Sequence, residues 1–231
     1  MKHLWAPDEL SWAGREHLDP DLVAGYDMKA GPASIPEDIE TLHELGLNSS
    51  SLVVDMGAGT GSFAAAVAPH CRRVVAIDVS PEMVALVATK TRHLPNARVE
   101  RAGFLTYRHR GQPADFVYTR NSLHHLPDLW KVVALQRVKE LMAPEGTLFL
   151  RDIVFSAARG ELQSVIEAWL NAAPPDSAVG WTRSELERHL IDEHSSHSAL
   201  LEAMLIETGF EVIDARFSES KVFARYLARA I

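Results

Sequence analysis

From residue 51 to residue 155, short apolar runs alternate with longer stretches of mixed polarity. SLVVDM (51–56), RVVAID (73–78), DFVYTR (115–120) and TLFLRDIVF (147–155) are rich in apolar residues without strict alternation, and ARVERA (97–102) is a weaker fifth run. Strands covered on both faces read in this way, whereas a half-exposed strand alternates. The segments between them, SFAAAVAPH (62–70), PEMVALVATKTR (81–92) and LWKVVALQRVKELM (129–142), read as helices, with Pro81 at a first helical position that tolerates proline. This repetition predicts a doubly wound α/β domain with right-handed crossovers.

The rhythm changes after Phe155. Three helical segments follow, ARGELQSVIEAWLN (158–171), TRSELERHLIDEH (182–194) and SALLEAMLIETG (198–209), with Pro174 and Pro175 between the first two. FEVIDARF (210–217) and KVFARYLARA (221–230) flank Ser218-Glu219-Ser220 as an antiparallel hairpin. Residues 1–50 are punctuated by Pro7, Gly14, Pro20, Gly25, Gly31, Pro32 and Pro36. They support one short helix from Pro36 to Leu45, capped by Ser34, with Glu37 and Asp38 favoured at its positive end. The expected organisation is a helical lid over 1–50, an α/β domain over 51–231, and a helical cap inserted at about 156–195.

Composition narrows the functional classes. Hydrophobic residues make up 47% of the 231, enough for a large core. The net charge of -8 comes from 31 acidic against 23 basic residues, which opposes nucleic-acid binding because phosphates require neutralisation. The single cysteine, Cys71, allows no intramolecular disulfide. No run reaches the roughly 20 apolar residues of a membrane span. The polar start, MKHLWAPDELSW, does not resemble a signal peptide. A cytoplasmic protein is expected, with no membrane partner.

The chemical signal is VVDMGAGTGSFA (53–64), a glycine-rich turn between a strand and a helix. Gly57, Gly59 and Gly61 permit a tight turn and a close backbone approach to a ligand at the helix's positive end. Two readings compete. GTGSFA fits a dinucleotide pattern with an acid about twenty residues later. The alternative includes Asp55, whose ionised carboxylate would point into the crevice, repel a pyrophosphate and attract an amine or sulfonium. Asp78, closing the second strand, suits a ribose diol. Alternatively, Asp78 or Ser80 simply caps the helix beginning at Pro81.

These residues carry a resemblance. Asp55 to Gly61 resembles the first motif of class I S-adenosylmethionine (SAM) methyltransferases, and AIDVSPEM (76–83) resembles their second. RNSLHHLPD (120–128) is similar to the loop after strand four in the ubiquinone/menaquinone-type branch, and LMAPEGTLFLRD (141–152) to their L-x-P-G-G-x-L segment. The likeness covers about 60–231 together with Asp55 to Gly59. It implies a Rossmann-like seven-stranded sheet of order 3-2-1-4-5-7-6, with strand 7 antiparallel. SAM would be the methyl donor and S-adenosyl-L-homocysteine (SAH) the product.

Carried over, Gly57, Gly59 and Gly61 would line the methionine part, with Asp55 near its amino group. Asp78 would hold the ribose, Val79 and Met83 would pack on sugar and adenine, and Asn121 and Ser122 would flank the methionyl end. The resemblance departs at Ala102-Gly103-Phe104, where an acid for the adenine amino group is missing. Adenine would then rely on Gly103 and Phe104 through backbone and apolar contact. The Asn-Pro-Pro-Tyr motif of DNA and glutamine N-methyltransferases is also absent, so a small-molecule acceptor is expected.

In-line methyl transfer needs orientation and a dry site, and a base only where the acceptor loses a proton. His124 and His125 are the candidate catalytic bases; the bland reading makes them loop anchors. His194 and His197 either face the substrate or lie on a solvated face. The four histidines have no metal-ligand spacing, and no metal is expected. Tyr26 is either a lid aromatic over the sulfonium or a core tyrosine. Trp5, Trp12 and Trp181 fall in the variable segments, and Trp169 reads as core. A homodimer is left open. Two other functions share part of this pattern. An NAD(P)-dependent oxidoreductase is opposed by Asp55 and by the lack of a Tyr-x-x-x-Lys pair. A non-catalytic SAM-binding module shares the ligand motif.

Overall fold

Eight strands form one sheet, and their register explains the apolar runs. The computed structural model describes residues 7–14, 17–20, 23, 25–26 and 34–231. The strands are β1 (Leu52–Met56), β2 (Arg73–Asp78), β3 (Ala97–Arg101), β4 (Ala114–Arg120), β5 (Met142–Phe155), β6 (Ser196–His197), β7 (Phe210–Phe217) and β8 (Phe223–Ala230). Their order is β3-β2-β1-β4-β5-β8-β7, with β6 pairing β5 off this path. β1, β2, β3, β4 and β5 pair in parallel, and β8 runs antiparallel to both β5 and β7. The expected order therefore stands. The two-residue β6 was not expected, and it raises the numbers of the last two strands by one.

The helices are α1 (Ile35–Glu44), α2 (Ser62–Val67), α3 (Pro81–Thr91), α4 (Asp128–Leu141), α5 (Leu162–Asn171), α6 (Arg183–Asp192) and α7 (Ser198–Glu207). Alternate β1 residues face opposite sides. Leu52, Val54 and Met56 pack in a core with Leu135 and Val138 of α4 and Leu201 and Leu205 of α7. Val53 packs with Ile39 and Leu42 of α1, Phe63 and Val67 of α2, and Val87 of α3. Both faces are thus dry, which is why the parallel strands lack polar alternation.

Local chemistry sets the element boundaries. Ser80 caps α3 by accepting the Met83 N–H at 3.2 Å, and Pro81 follows at a helix start. Ser34 sits at the start of α1 but makes no capping bond; its hydroxyl instead meets Arg120 and Arg151. α6 carries the capping box, with Thr182 and Glu185 bonded reciprocally. β5 starts at Met142, earlier than the apolar run suggests, because the pairing with β4 shifts register between Ala114 and Phe116. Glu145, which stands where the resemblance has glycine, takes a left-handed φ of 64° within that irregularity.

After β5, a small core of Phe155, Ala157, Val165 and Val222 forms, against which Ile166 and Trp169 of α5 pack. The expected lid over 1–50 falls partly outside the described residues, as do Trp5, Gly31 and Pro32. Within them, Glu9–Trp12 forms one short helical turn capped by Asp8, and Trp12 packs against Trp130 at 6.4 Å between ring centres.

Candidate active site

The sheet order reverses between β1 and β4, and a crevice opens at the carboxyl ends of these strands, where α/β sheets hold ligands. One end is formed by Asp55, Gly57, Asn121, Ser122 and His125; Asp78 and Val79 form the middle; Ala102, Gly103, Phe104 and Glu9 form the other end. His17 and Tyr26 from the N-terminal segment add to the wall.

The turn after β1 is built by glycine. Gly57, Gly59 and Gly61 have φ of 71°, 53° and 77°, a region costly for residues with a Cβ. A Cβ on Gly57 would overlap the Ser122 hydroxyl, and one on Gly61 would come within 2.9 Å of Val87. The Gly57 and Ala58 N–H groups bond to the Ile77 carbonyl at 2.9 Å, and the Gly59 N–H donates to Asp78 Oδ2 at 2.8 Å. The Ser80 N–H donates to Asp78 Oδ1 at 2.9 Å. Asp78 therefore ties the turns after β1 and β2 together as well as facing the crevice. Ser80, not Asp78, supplies the α3 cap.

Asp55 is 2% exposed, and its Oδ2 has no hydrogen-bond partner among the described residues. Burial, with Asp78 adding repulsion, pushes its pKa up to about 8, against which the Ala64 N–H acts weakly. At that value the carboxylate expected to be ionised is mostly protonated at pH 7. Asp78 is also raised, mainly by burial. The unsatisfied, buried Asp55 Oδ2 lies in the crevice together with the glycine turn.

Met83 is fully buried and does not line the crevice, and its N–H donates to the Ser80 hydroxyl at the start of α3. Val79, Gly103, Phe104, Asn121, Ser122 and Tyr26 do reach the wall. Asn121 has a left-handed φ of 47° and anchors its N–H on the Arg151 carbonyl at 2.8 Å.

The two histidines have different places. His125 lines the crevice, and its Nδ1 is buried with no hydrogen-bond partner among the described residues. His124 stands behind it, off the wall, between two carboxylates: its Nδ1 meets Asp152 and its Nε2 lies 2.8 Å from Glu193 Oε2. Burial works against charge on His124, but Asp152 and Glu193 outweigh it and lift its pKa to about 10. Burial and the His124 charge hold His125 well below the ordinary imidazole value, so it is neutral. His189 reaches the same Glu193 oxygen at 2.7 Å. Burial also opposes the charge of Glu193, yet His124 and His189 keep it well below the ordinary carboxylate range.

The ligand-type atoms of His124, His125 and Glu193 lie within 4.8 Å of one another. His194 and His197 do not join them. His194 donates its backbone N–H to the His124 carbonyl at 2.9 Å, and His197 bonds to the Ala157 carbonyl at 3.0 Å. Lys131, 2% exposed, locks this junction through Asp128, Ser196 and the His194 carbonyl. Sequence reasoning missed Glu9, His17, Lys131, Asp152, Glu193 and the contact role of Ser80. The single visible signal was the acid in LRDIVF; the rest depends on long-range packing.

The methyltransferase-domain family profile matches residues 53–146. An uncharacterized methyltransferase from Exiguobacterium sibiricum is 30% identical over 148 residues, spanning 64% of this chain and 67% of that protein. This chain is a class I SAM-dependent methyltransferase. The methyltransferase is also similar to nodulation protein S of Bradyrhizobium diazoefficiens, 24% identical over 64% of this chain and 69% of that one. In fold it matches the N-methyltransferase NodS of Bradyrhizobium japonicum in complex with SAH, with a TM-score of 0.63. That match covers 97% and 99% of the two chains at 16% identity. A SAM-dependent methyltransferase from Aquifex aeolicus gives a TM-score of 0.61 over 93% and 100%, at 20% identity. The oxidoreductase and non-catalytic readings are not favoured by these relatives. Among the described residues, no helix of the methyltransferase is long and apolar enough to cross a membrane.

Proposed function

We propose that this methyltransferase transfers a methyl group in line from SAM to a small, partly apolar acceptor enclosed by the N-terminal segment and the cap. The observation that carries the site reading is the buried Asp55 Oδ2, which has no hydrogen-bond partner among the described residues and lies in the crevice with the glycine turn. When bound, SAM supplies a methyl group already activated on a sulfonium.

The residues divide the work along the crevice. Gly57, Gly59 and Gly61 present the turn backbone to the methionyl end, flanked by Asn121 and Ser122, while Asp55 ionises as the amino group arrives. Asp78 accepts from the ribose diol with the lone pairs left by Gly59 and Ser80. Val79, Gly103 and Phe104 bracket the adenine, and Met83 supports the wall from behind. Tyr26 sits 5.1 Å from His17 and 6.3 Å from Trp181 of the cap, supporting an aromatic lid over the cationic centre.

His125 takes the proton where the acceptor must lose one, since it is the member of the pair on the wall and is neutral at pH 7. His124, clamped by Asp152 and Glu193, is a positioning residue. A charge of -8 and the aromatic enclosure support a small acceptor over nucleic acid. The quinone-type likeness of residues 120–128 supports an apolar one. Lone, buried Cys71, its thiol pushed up to about 11 by burial, suits a reducing cytoplasm.

The test is methyl transfer from labelled SAM to a fractionated cell extract. Label in the small-molecule fraction is expected; label confined to protein or nucleic acid would contradict the reading. With an acceptor that loses a proton, His125→Gln should slow turnover by about 10²–10⁴-fold while SAH affinity holds. An unchanged rate removes His125 as the base.

A further inference from the structure

Four arginines stand side by side across the sheet. Arg120 of β4 is in register with Arg151 of β5, Arg151 with Arg225 of β8, and Arg225 with Arg216 of β7. Residues directly opposite on neighbouring strands project from the same face. Two positions back along β4 and β5, Tyr118 and Phe149 are in register as well, with 5.2 Å between ring centres. The row therefore lies on the face of Tyr118 and Phe149, and the Arg225 guanidinium sits 5.8 Å from the Phe149 ring centre. Arg120 also lines the crevice, together with Ile35, Phe63, Tyr118 and Asn121. The row thus begins at the crevice wall and runs outward toward β7.

Like charges directly opposite on a sheet repel. Among the described residues, the row forms ion pairs with two acids. Asp38 lies 3.7 Å from Arg120 and 3.5 Å from Arg151, while Asp214 pairs with Arg225 and lies 3.2 Å from Arg216. Four positive charges therefore stand against two negative ones. Asp38 is shared further, because the Tyr118 hydroxyl donates to its Oδ2 at 2.8 Å. Arg225 Nε is buried with no hydrogen-bond partner among the described residues. Arg120 and Arg151 each meet Asp38 and the Ser34 hydroxyl through Nη1, and both side chains remain 26% exposed.

We propose that this row is an anion subsite for the methyl acceptor, with Arg120 and Arg151 holding a carboxylate or phosphate group and Arg225 adding charge behind them. The inference deepens the small-acceptor reading above and rests on it. A guanidinium keeps its charge at any working pH, and its planar fork matches the oxygens of either group. Contacts of 3.5 and 3.7 Å to Asp38 are longer than close charge-assisted hydrogen bonds, so a ligand oxygen has a stronger bond to gain. Ile35, Phe63 and Tyr118 supply apolar wall beside the cationic one. The acceptor that fits both is a small amphipathic acid.

The experiment is calorimetric titration of the full chain, saturated with SAH, with inorganic phosphate, with benzoate, and with benzamide as the uncharged counterpart of benzoate. Wild type should bind at least one of the two anions, about 10-fold or more tighter than benzamide, the size of one hydrogen bond to a charged group. Phosphate alone, benzoate alone or both then tells which anion the row takes. Arg151→Gln should lose about 10-fold in affinity for that anion while its SAH affinity holds. Should that variant not fold, Arg151→Lys carries the test: it trades the fork for a point charge and should bind the anion more weakly than wild type. Absence of anion binding in wild type, benzamide bound as tightly as the anions, or anion affinity unchanged in the variant would overturn the proposal. Loss of SAH affinity in step with the anion would assign the row to the cofactor's own carboxylate and overturn it too. Failure of wild type to bind SAH would instead sink the crevice reading, and this inference with it.

Discussion

Asp55 sits where its own charge is unwelcome, and that makes it sensitive to a cation. With a pKa near 8 in the folded chain, it is mostly protonated at pH 7, and an arriving ammonium group lowers that value. SAH binding at pH 7 should therefore release a proton, visible as a buffer-dependent binding enthalpy, and Asp55→Asn should abolish the buffer dependence. Proton uptake would contradict the role. His124 gives a second test with the opposite cause. Its pKa is raised from 6.5 to about 10, so the folded state binds the proton more tightly than the unfolded one. The stability it contributes is complete below about pH 6.5 and is lost as pH rises toward about 10. Melting temperature should fall across that window, and His124→Asn should flatten the fall. At Gly57, a Cβ meets both Ser122 and a left-handed φ of 71°, so Gly57→Ala should lose SAH binding and about 1–2 kcal/mol or more of stability. The sequence named Asp55 and Gly57 because strand-end acids and turn glycines are local signals. It could not show that Asp55 is neutral, since that follows from burial completed by distant residues.

At the scale of elements, the strands and helices were legible wherever apolar period and caps agreed. The run RVVAID and β2 (Arg73–Asp78) share the same bounds, and Pro81 opens α3 as expected. The misses arise where a tertiary partner overrides the local signal. Ser34 leaves its cap for two arginines, and β6 exists through pairing of Ser196 and His197 with β5. β6 ties the chain after α6 back to the end of β5. Lys131, buried among Asp128, Ser196 and the His194 carbonyl, is the clamp. Lys131→Met should leave the sheet folded and loosen the cap return, so limited proteolysis should accelerate selectively between residues 172 and 197. Cleavage no faster than in wild type would show that the clamp is dispensable.

The whole molecule joins three separately encoded parts around one crevice. The α/β sheet supplies the glycine turn and two acids, the N-terminal segment supplies Glu9, His17 and Tyr26, and the segment between β5 and β6 supplies Glu193 and His189 behind the wall and Trp181 against Tyr26. The sheet was readable from periodicity, and the ordered motifs carried its family. The convergence of the other two parts was not readable, because Glu9 and Gly103, or His124 and Glu193, meet through packing with no sequence spacing to announce it. Asp78, at the middle of that crevice, is the residue proposed to hold the cofactor's ribose. Titration of SAH into wild type and Asp78→Ala tests it directly. The expected result is a loss of about 1–3 kcal/mol in binding free energy in the variant, the range for hydrogen bonds to a charged group. Equal dissociation constants for the two proteins would contradict it.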